Sequence, residues 1–352
     1  MSALVEDRAF VESFRRRKSA AFDLEANSTA GRTVPVDFWG AVRPVYANAN
    51  LSLYSGQRCN ARCPFCVEEL RPASRGGTLV SQKRVETDDA RYFAALEEVL
   101  RTVRPLDPSV SVTGGEPSKD PRLPLILRTI AAFGSRKRTM TTNGSGLLDA
   151  VEGKTVAEWV VATGLRHLNV SRAHVDQARN SELMGLSDQL SLRDLESVAR
   201  FMGARGTRVR LSCVLLREGI SDLDGIVDYV GFAQALGVRD VIFRQLMKSD
   251  PLRHAANSVV RYSDAERVPL EPLLDEISGD RRFTFVKQIV GYYYYVEVHR
   301  FGEMNVVFEE ADLARLEKTK ETMPDVVHEL VFHPEGRLAS TWQPWDDVLG
   351  PR

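Results

Sequence analysis

The chain has 352 residues, of which 43% are hydrophobic and 27% charged, enough apolar surface for one large core, or a core with a small appended domain, and too much for disorder as the main state. Its 47 basic and 48 acidic side chains leave a formal charge of -1, which excludes a broad electropositive surface and with it a sequence-independent nucleic-acid binder, while a local basic pocket for a phosphate stays compatible. No apolar run approaches the roughly 18 to 20 residues that span a bilayer, and Met1 to Lys18 mixes Glu6, Asp7, Arg15, Arg16 and Arg17 without a signal-like stretch, so no membrane is expected and the expected address is the cytoplasm.

Residues 1–47 have no clear periodicity and read as a segment wrapping the outside. Over residues 48–250 short β-rich runs alternate with helix-period segments, the pattern of a parallel sheet with crossover helices. The predicted strands are Leu51–Tyr54, Ser109–Thr113, Arg138–Thr142, His167–Ser171, Val209–Val214 and Val241–Gln245. Between them Phe93, Leu96, Leu100 and Val103 share one helical face; Leu195, Val198 and Met202 share another behind a Ser191 cap, and Leu223, Ile226, Val230 and Ala233 form a third. Six such βα units suit a partial barrel or an open doubly wound sheet, and periodicity alone does not choose. Residues 251–352 change rhythm into an α+β extension, where Gly291–Val298, Asn305–Phe308, Glu329–His333 and Arg337–Thr341 read as antiparallel strands, the last pair joined by a turn at Pro334–Gly336.

Of four cysteines, Cys59, Cys63 and Cys66 fall within eight residues, which is no disulfide framework and in a cytosolic chain points to metal or redox chemistry. The CxxxCxxC spacing sits directly after the first predicted strand, on a loop at its C-terminal end, where parallel α/β proteins carry active sites. Three thiolates can hold three irons of a 4Fe–4S cluster and leave the fourth for a small ligand, whereas an electron-carrier cluster normally takes four cysteines. Two alternatives stay open at this point: a structural zinc site, which needs four ligands although no histidine lies within 90 residues after Cys66, and chance clustering of free thiols. Gly114-Gly115-Glu116-Pro117 ends the second predicted strand, its glycines 48 residues after Cys66 and beyond. Glycines let backbone approach a ligand, and a carboxylate there can accept from an ammonium group.

CxxxCxxC on the first βα loop, Phe65 immediately before the last cysteine and GGEP after the second strand together resemble the radical S-adenosylmethionine (SAM) superfamily over roughly residues 50–248. Thr141-Thr-Asn-Gly144 and Leu168-Asn-Val-Ser-Arg172 are most similar to the group holding the molybdenum-cofactor cyclase and the peptide-modifying maturases. The resemblance implies a partial (β/α)6 TIM-like barrel, here with a C-terminal antiparallel β extension. It implies that Cys59, Cys63 and Cys66 hold one 4Fe–4S cluster whose unique iron binds the amino and carboxylate groups of SAM. It also implies that Phe65 lies beside the adenine, that Gly114, Gly115 and Glu116 meet the methionyl amine, and that Asn143 and Ser171 contact the cofactor. Reductive cleavage of SAM then yields a 5′-deoxyadenosyl radical that removes a substrate hydrogen, with electrons from a flavodoxin- or ferredoxin-type donor. Unlike many relatives, the chain offers no thiol after Cys66 except Cys213, so a second cluster is not expected.

Strand parity sends Arg210 and Ser212 to the barrel lumen and Cys213 to the helix-packing face, leaving Cys213 as a core side chain or a hydrogen donor to a radical. Asn169 and Ser171 share a face of the fourth strand with His167, and Arg244 ends the sixth. An arginine there is a buried ion pair or a ligand for a carboxylate or phosphate. Arg172 and His174 follow the fourth strand on a loop that is either solvated or a substrate contact, and the run Tyr292–Tyr295 sends alternate rings inward. Arg210, Arg244 and Asn169 predict a cationic floor suited to a small anionic substrate, a sugar, nucleoside or specialised-metabolite intermediate. A peptide-modifying role is the second reading and a non-catalytic iron–sulfur carrier or sensor the third.

Overall fold

The computed structural model describes residues 32–70, 78–135, 137–248, 257–291 and 293–351; residues 1–31 of the expected wrapping segment, and Tyr292, lie outside them. A hairpin of β1 (Thr33–Phe38) and β2 (Ala41–Tyr46) opens the described chain. It had no sequence signal because Pro35 and Pro44 interrupt both strands with a residue that cannot donate to a ladder.

Six parallel strands follow in the expected positions: β3 (Asn50–Tyr54), β4 (Ser109–Thr113), β5 (Arg138–Thr142), then, after the small hairpin of β6 (Ala150–Val151) and β7 (Lys154–Thr155), β8 (His167–Ser171), β9 (Arg208–Leu215) and β10 (Asp240–Gln245). Each large strand pairs in parallel with the next. The crossovers are α-helices: α1 (Val67–Leu70), α2 (Leu79–Gln82), α3 (Asp89–Thr102), α4 (Leu123–Ala132), α5 (Val156–Ala162), α6 (Gln177–Met184), α7 (Leu192–Gly203) and α8 (Leu223–Ala235). Several N-termini are capped by side chains that satisfy otherwise orphaned amides, among them Asp88 before α3, Ser191 before α7 as expected, and Asp222 before α8.

After α9 (Ser258–Glu266) and α10 (Leu270–Gly279) come β11 (Phe283–Val290), β12 (Tyr294–Phe301) and β13 (Met304–Ala311), then α11 (Leu313–Thr322), β14 (Leu330–His333), β15 (Arg337–Ala339) and β16 (Val348–Gly350). The sheet has twelve strands in the order β11-β12-β13-β10-β9-β8-β5-β4-β3-β14-β15-β16. The antiparallel extension is therefore split between the two edges, and two of its strands add parallel pairings to the expected antiparallel ones: β13, antiparallel to β12, is parallel to β10, and β14, antiparallel to β15, is parallel to β3. The physical mark of this is continuous burial; all four residues of β14 are buried, as are Val306, Val307 and Phe308 in β13, as in strands covered on both faces.

The main core lies between the sheet and its outer helices, where Phe243 of β10 stacks on Phe308 of β13 at 5.5 Å and meets Tyr229 of α8 edge-on at 5.4 Å. Among the described residues no helix is long and apolar enough to cross a membrane. Phe308 is wholly buried at the junction of barrel and extension, so Phe308→Ala should lower stability by about 3–5 kcal/mol, read as a shifted denaturant midpoint. A shift typical of a surface site would detach β13 from the core.

Candidate active site

Parallel strands bring their C-terminal ends to one side, and there a cavity of about 670 Å³ opens, lined by Cys59, Cys63, Cys66, Phe65, Gly114, Gly115, Asn143 and Ser171 among others. The cysteine loop is held from below. Ala61, Cys63 and Phe65 pack on a satellite apolar cluster of Ala173, Leu183, Met184, Leu186, Leu216 and Leu246, and Phe65 also faces the Tyr262 ring at 6.3 Å. The Arg62 amide donates to the Met184 carbonyl at 3.1 Å and the Cys63 thiol to the same carbonyl at 3.3 Å, while the Asn60 amide donates to Asp188. The C-terminus of α6 and the turn after it are thus the loop's support, which no motif signalled. Burial pushes the Cys59 thiol up to about 11, with further upward pressure from Glu116 and Cys66, and raises Cys63 and Cys66 as well. As thiolates, all three need a cationic partner.

The glycines meet a packing constraint before any ligand. Gly114 has φ +79 and an added Cβ would lie 1.9 Å from the Tyr54 ring; at Gly115, φ +51, it would lie 1.7 Å from the Gln57 carbonyl oxygen. Glu116 lines the cavity with the two glycines. It is 1% exposed and accepts four hydrogen bonds, from the Ser118 amide at 2.9 Å, the Ser118 hydroxyl at 2.6 Å, the Asn143 amide at 2.7 Å and the Thr142 hydroxyl. Desolvation raises its pKa, and these donors oppose the rise. Its carboxylate therefore ties the end of β4 to the end of β5. Asn143, set by that bond, donates through Nδ2 to Asn60 at 2.8 Å and lies 3.8 Å from the Cys59 sulfur.

Glu68, two residues after Cys66, was missed because an acidic residue in a first helical turn is ordinary dipole chemistry. Its side chain lines the cavity, accepting from the Gly115 amide and from the Tyr54 phenol at 3.0 Å, with the Lys83 ammonium 3.6 Å away. Lys83 is 3% exposed in its side chain and stands over the Tyr54 ring at 4.2 Å; burial lowers its pKa against the pull of Glu68.

The residues expected at the substrate divide. Arg172, Ser212 and Arg244 line the cavity; Asn169, His174 and Arg210 do not. The Arg172 guanidinium is spent on the Val175 carbonyl, the Gln177 side chain and the Phe232 ring. Asn169 donates to Thr141 at 3.3 Å, and the His174 Nδ1 accepts from the Asp176 amide at 3.1 Å. Arg210 is half-buried, its pKa lowered first by desolvation and raised by Asp240. The purely cationic floor is replaced by an ion pair, because the parallel register of β13 sets Glu309 beside Arg244, with Oε1 3.3 Å from Nε, and both line the cavity. Cys213 is wholly buried in the main core. Tyr293 and Tyr294 line the cavity, and the Tyr294 phenol is hydrogen-bonded with Tyr46. Tyr295 turns away to Gln288 and Glu297.

No family model matches the chain. It is 30% identical over 174 residues to a GTP 3′,8-cyclase of Tolumonas auensis, covering 48% of this chain and 45% of that protein. A probable GTP 3′,8-cyclase of Sulfurisphaera tokodaii is 30% identical over 173 residues, 49% of this chain and 48% of that one. Over about half its length the chain is thus similar to enzymes of the radical SAM superfamily. It spans about half the length of the curated relatives it matches. Among solved structures, Streptococcus suis SuiB bound to precursor peptide SuiA gives a TM-score of 0.43 at 18% identity, covering 61% of this chain and 42% of that one. Escherichia coli coproporphyrinogen III oxidase, HemN, gives 0.41 at 12% identity, covering 72% and 67%.

The donor chemistry of the site fits an iron–sulfur group: three soft thiols from one loop line one cavity. Among the described residues no three His, Cys, Asp or Glu side chains sit as they would around a single metal ion. The glycine packing has its own test. Gly114 and Gly134 share a positive φ, but an added Cβ at Gly134 meets nothing within 4 Å. Gly134→Ala should cost only the left-handed penalty of about 1–2 kcal/mol, and Gly114→Ala about 1–3 kcal/mol more, in urea midpoints. Equal losses would remove the Tyr54 contact as the reason for that glycine.

Proposed function

We propose that this chain is a single-cluster radical SAM enzyme acting on a small polar molecule held in the cavity below its cysteine loop. The observation that carries the reading is the convergence of Cys59, Cys63 and Cys66 with Gly114, Gly115, Asn143 and Ser171 on the lining of one cavity. In this reading the three cysteines hold one 4Fe–4S cluster, Phe65 borders the adenosyl moiety of SAM, and the ends of β4, β5 and β8 receive the rest of that cofactor. Cluster and SAM, when bound, supply a carbon-centred radical able to remove a substrate hydrogen.

The chain's own residues do the rest. The satellite cluster under the loop and the Glu116 clasp fix the cofactor end of the cavity. Tyr293, Tyr294, Val296 and Trp342 close its side and restrict water around a reactive intermediate. Ser212, Arg244 and Glu309 offer donors and acceptors to the substrate, so a molecule carrying both an anionic or carbonyl acceptor and a hydrogen-bond donor suits this wall better than a polyanion. A flavodoxin- or ferredoxin-type protein is the proposed electron donor. The division into residues 1–47, 48–250 and 251–352 is retained as a proposal, with the middle segment carrying the cofactor. A peptide-modifying role is the second reading.

Anaerobically reconstituted protein should hold about four iron and four sulfide, and with a strong reductant it should convert SAM to 5′-deoxyadenosine. Alanine at Cys59, Cys63 or Cys66 should abolish both, while Cys213→Ala, altering a core side chain, should keep its iron. Bound zinc without sulfide, or full iron in any of the three loop variants, contradicts the reading.

A further inference from the structure

Two layers of charge cross the sheet on its lumen side, and each is balanced within itself. In the layer farther from the strand ends, Arg210 of β9 lies in register with Asp240 of β10, which also accepts from the Asn305 side-chain amide of β13 at 3.0 Å. In the next layer Arg244 of β10 lies in register with Glu309 of β13, with 3.3 Å between Nε and Oε1. Arg172 is held by its own loop, so among the described residues no arginine or lysine on the lining is left over for a polyanion. The Arg244–Glu309 pair is itself unfinished. The Arg244 Nε is buried without a hydrogen-bond partner, so its contact with Glu309 is an ion pair and not a hydrogen bond. The two side chains are 34% and 30% exposed, both line the cavity, and a guanidinium has five N–H donors to offer and a carboxylate about four acceptor positions. Register also fixes what stands beside them. Val296 of β12 is opposite Glu309, and Tyr294, two residues earlier on the same face, is opposite Ala311. Two residues along a strand span about 6.6 Å, so an aromatic ring stands one pleat from the charge pair, with Tyr293 edge-on to it at 5.5 Å.

We infer that the small molecule this cavity takes is a free α-amino acid with an aromatic side chain, its carboxylate on Arg244, its ammonium on Glu309 and its ring against Tyr294. The inference rests on the small-molecule reading above and deepens it by naming the class. An α-amino acid carries both charges on one carbon, which matches a guanidinium and a carboxylate this close together, and its ring begins one carbon farther on, toward the neighbouring pleat. A zwitterion leaves both protein charges paired when it enters. A phosphate ester or a deaminated acid would pair Arg244 and leave Glu309 without a cation, and an amine would do the reverse. A residue within a peptide has neither charged group, so the same pair selects against a peptide.

The test is a binding series on the cluster-loaded protein, kept anaerobic, without reductant and with SAM saturating. Dissociation constants are measured for L-phenylalanine, L-tyrosine and L-tryptophan, for the three acids that lack only the amino group, for the three amines that lack only the carboxylate, and for ATP and GTP as polyanions. The expected result is that at least one amino acid binds, and that its deaminated and decarboxylated relatives bind about tenfold or more weakly, the scale of a charge-assisted hydrogen bond. In Glu309→Gln the preference for that amino acid over its deaminated acid should fall to within about twofold, a ratio that general loosening of the site would not move. No binding by any of the three amino acids, equal affinity for a truncated relative, tighter binding of a nucleotide, or an unchanged preference in Glu309→Gln each overturns the inference. The wild-type series decides even where the variant does not fold. Failure of the wild type to load iron or to convert SAM to 5′-deoxyadenosine would instead overturn the radical SAM reading on which the inference rests.

Discussion

Four hydrogen bonds converge on the buried carboxylate of Glu116, and through them the turn after β4 is locked to Thr142 and Asn143 at the end of β5. An uncompensated carboxylate at that depth would cost several kcal/mol, so each donor is needed and the strand ends have one low-energy arrangement. The rest of the site depends on it. Asn143, oriented by the clasp, reaches Asn60 and the neighbourhood of Cys59; Ser118, the other donor, also receives the Gly146 amide at 3.0 Å. The cysteine loop thus meets a preformed strand edge on one side and an apolar bed on the other, and a cofactor would enter geometry already set.

The six central strands were legible because each is a short β-rich run with helix-period segments between, and the cysteine motif was legible because its spacing has few other uses. The extension was less legible for a physical reason. Antiparallel neighbours β11 and β12 and the tight turn before β15 are local features, whereas the parallel pairing of β13 with β10 and of β14 with β3 is decided across long sequence separations. The same non-locality concealed Glu309. Strand parity sent Arg244 toward the lumen, but only the register of β13 shows that a carboxylate comes with it. Glu68 and Lys83 were invisible for another reason: a glutamate in a first helical turn and a lysine in a polar stretch each look like ordinary surface residues until the fold buries them together.

The mixed charge of the lumen bears on what the cavity selects. Arg244 and Glu309 hold each other at moderate exposure, so a ligand that satisfied only the cation would leave the anion poorly paired. Selectivity then arises from matching donor and acceptor together rather than from net charge. The aromatic groups Tyr46, Tyr293, Tyr294 and Trp342 of the same lining supply apolar faces with polar tips, a surface suited to ring systems bearing hydroxyl or amide groups.

The central claim is that the cysteine loop and the glycine end of β4 belong to one cofactor site. Electron–nuclear double resonance on the reduced cluster, with SAM carrying ¹⁵N in its amino group, tests it most directly. A ¹⁵N coupling, accompanied by a change in the cluster's electron paramagnetic signal when SAM is added, is the predicted result. A reduced four-iron cluster whose spectrum ignores SAM and shows no nitrogen coupling would contradict the account.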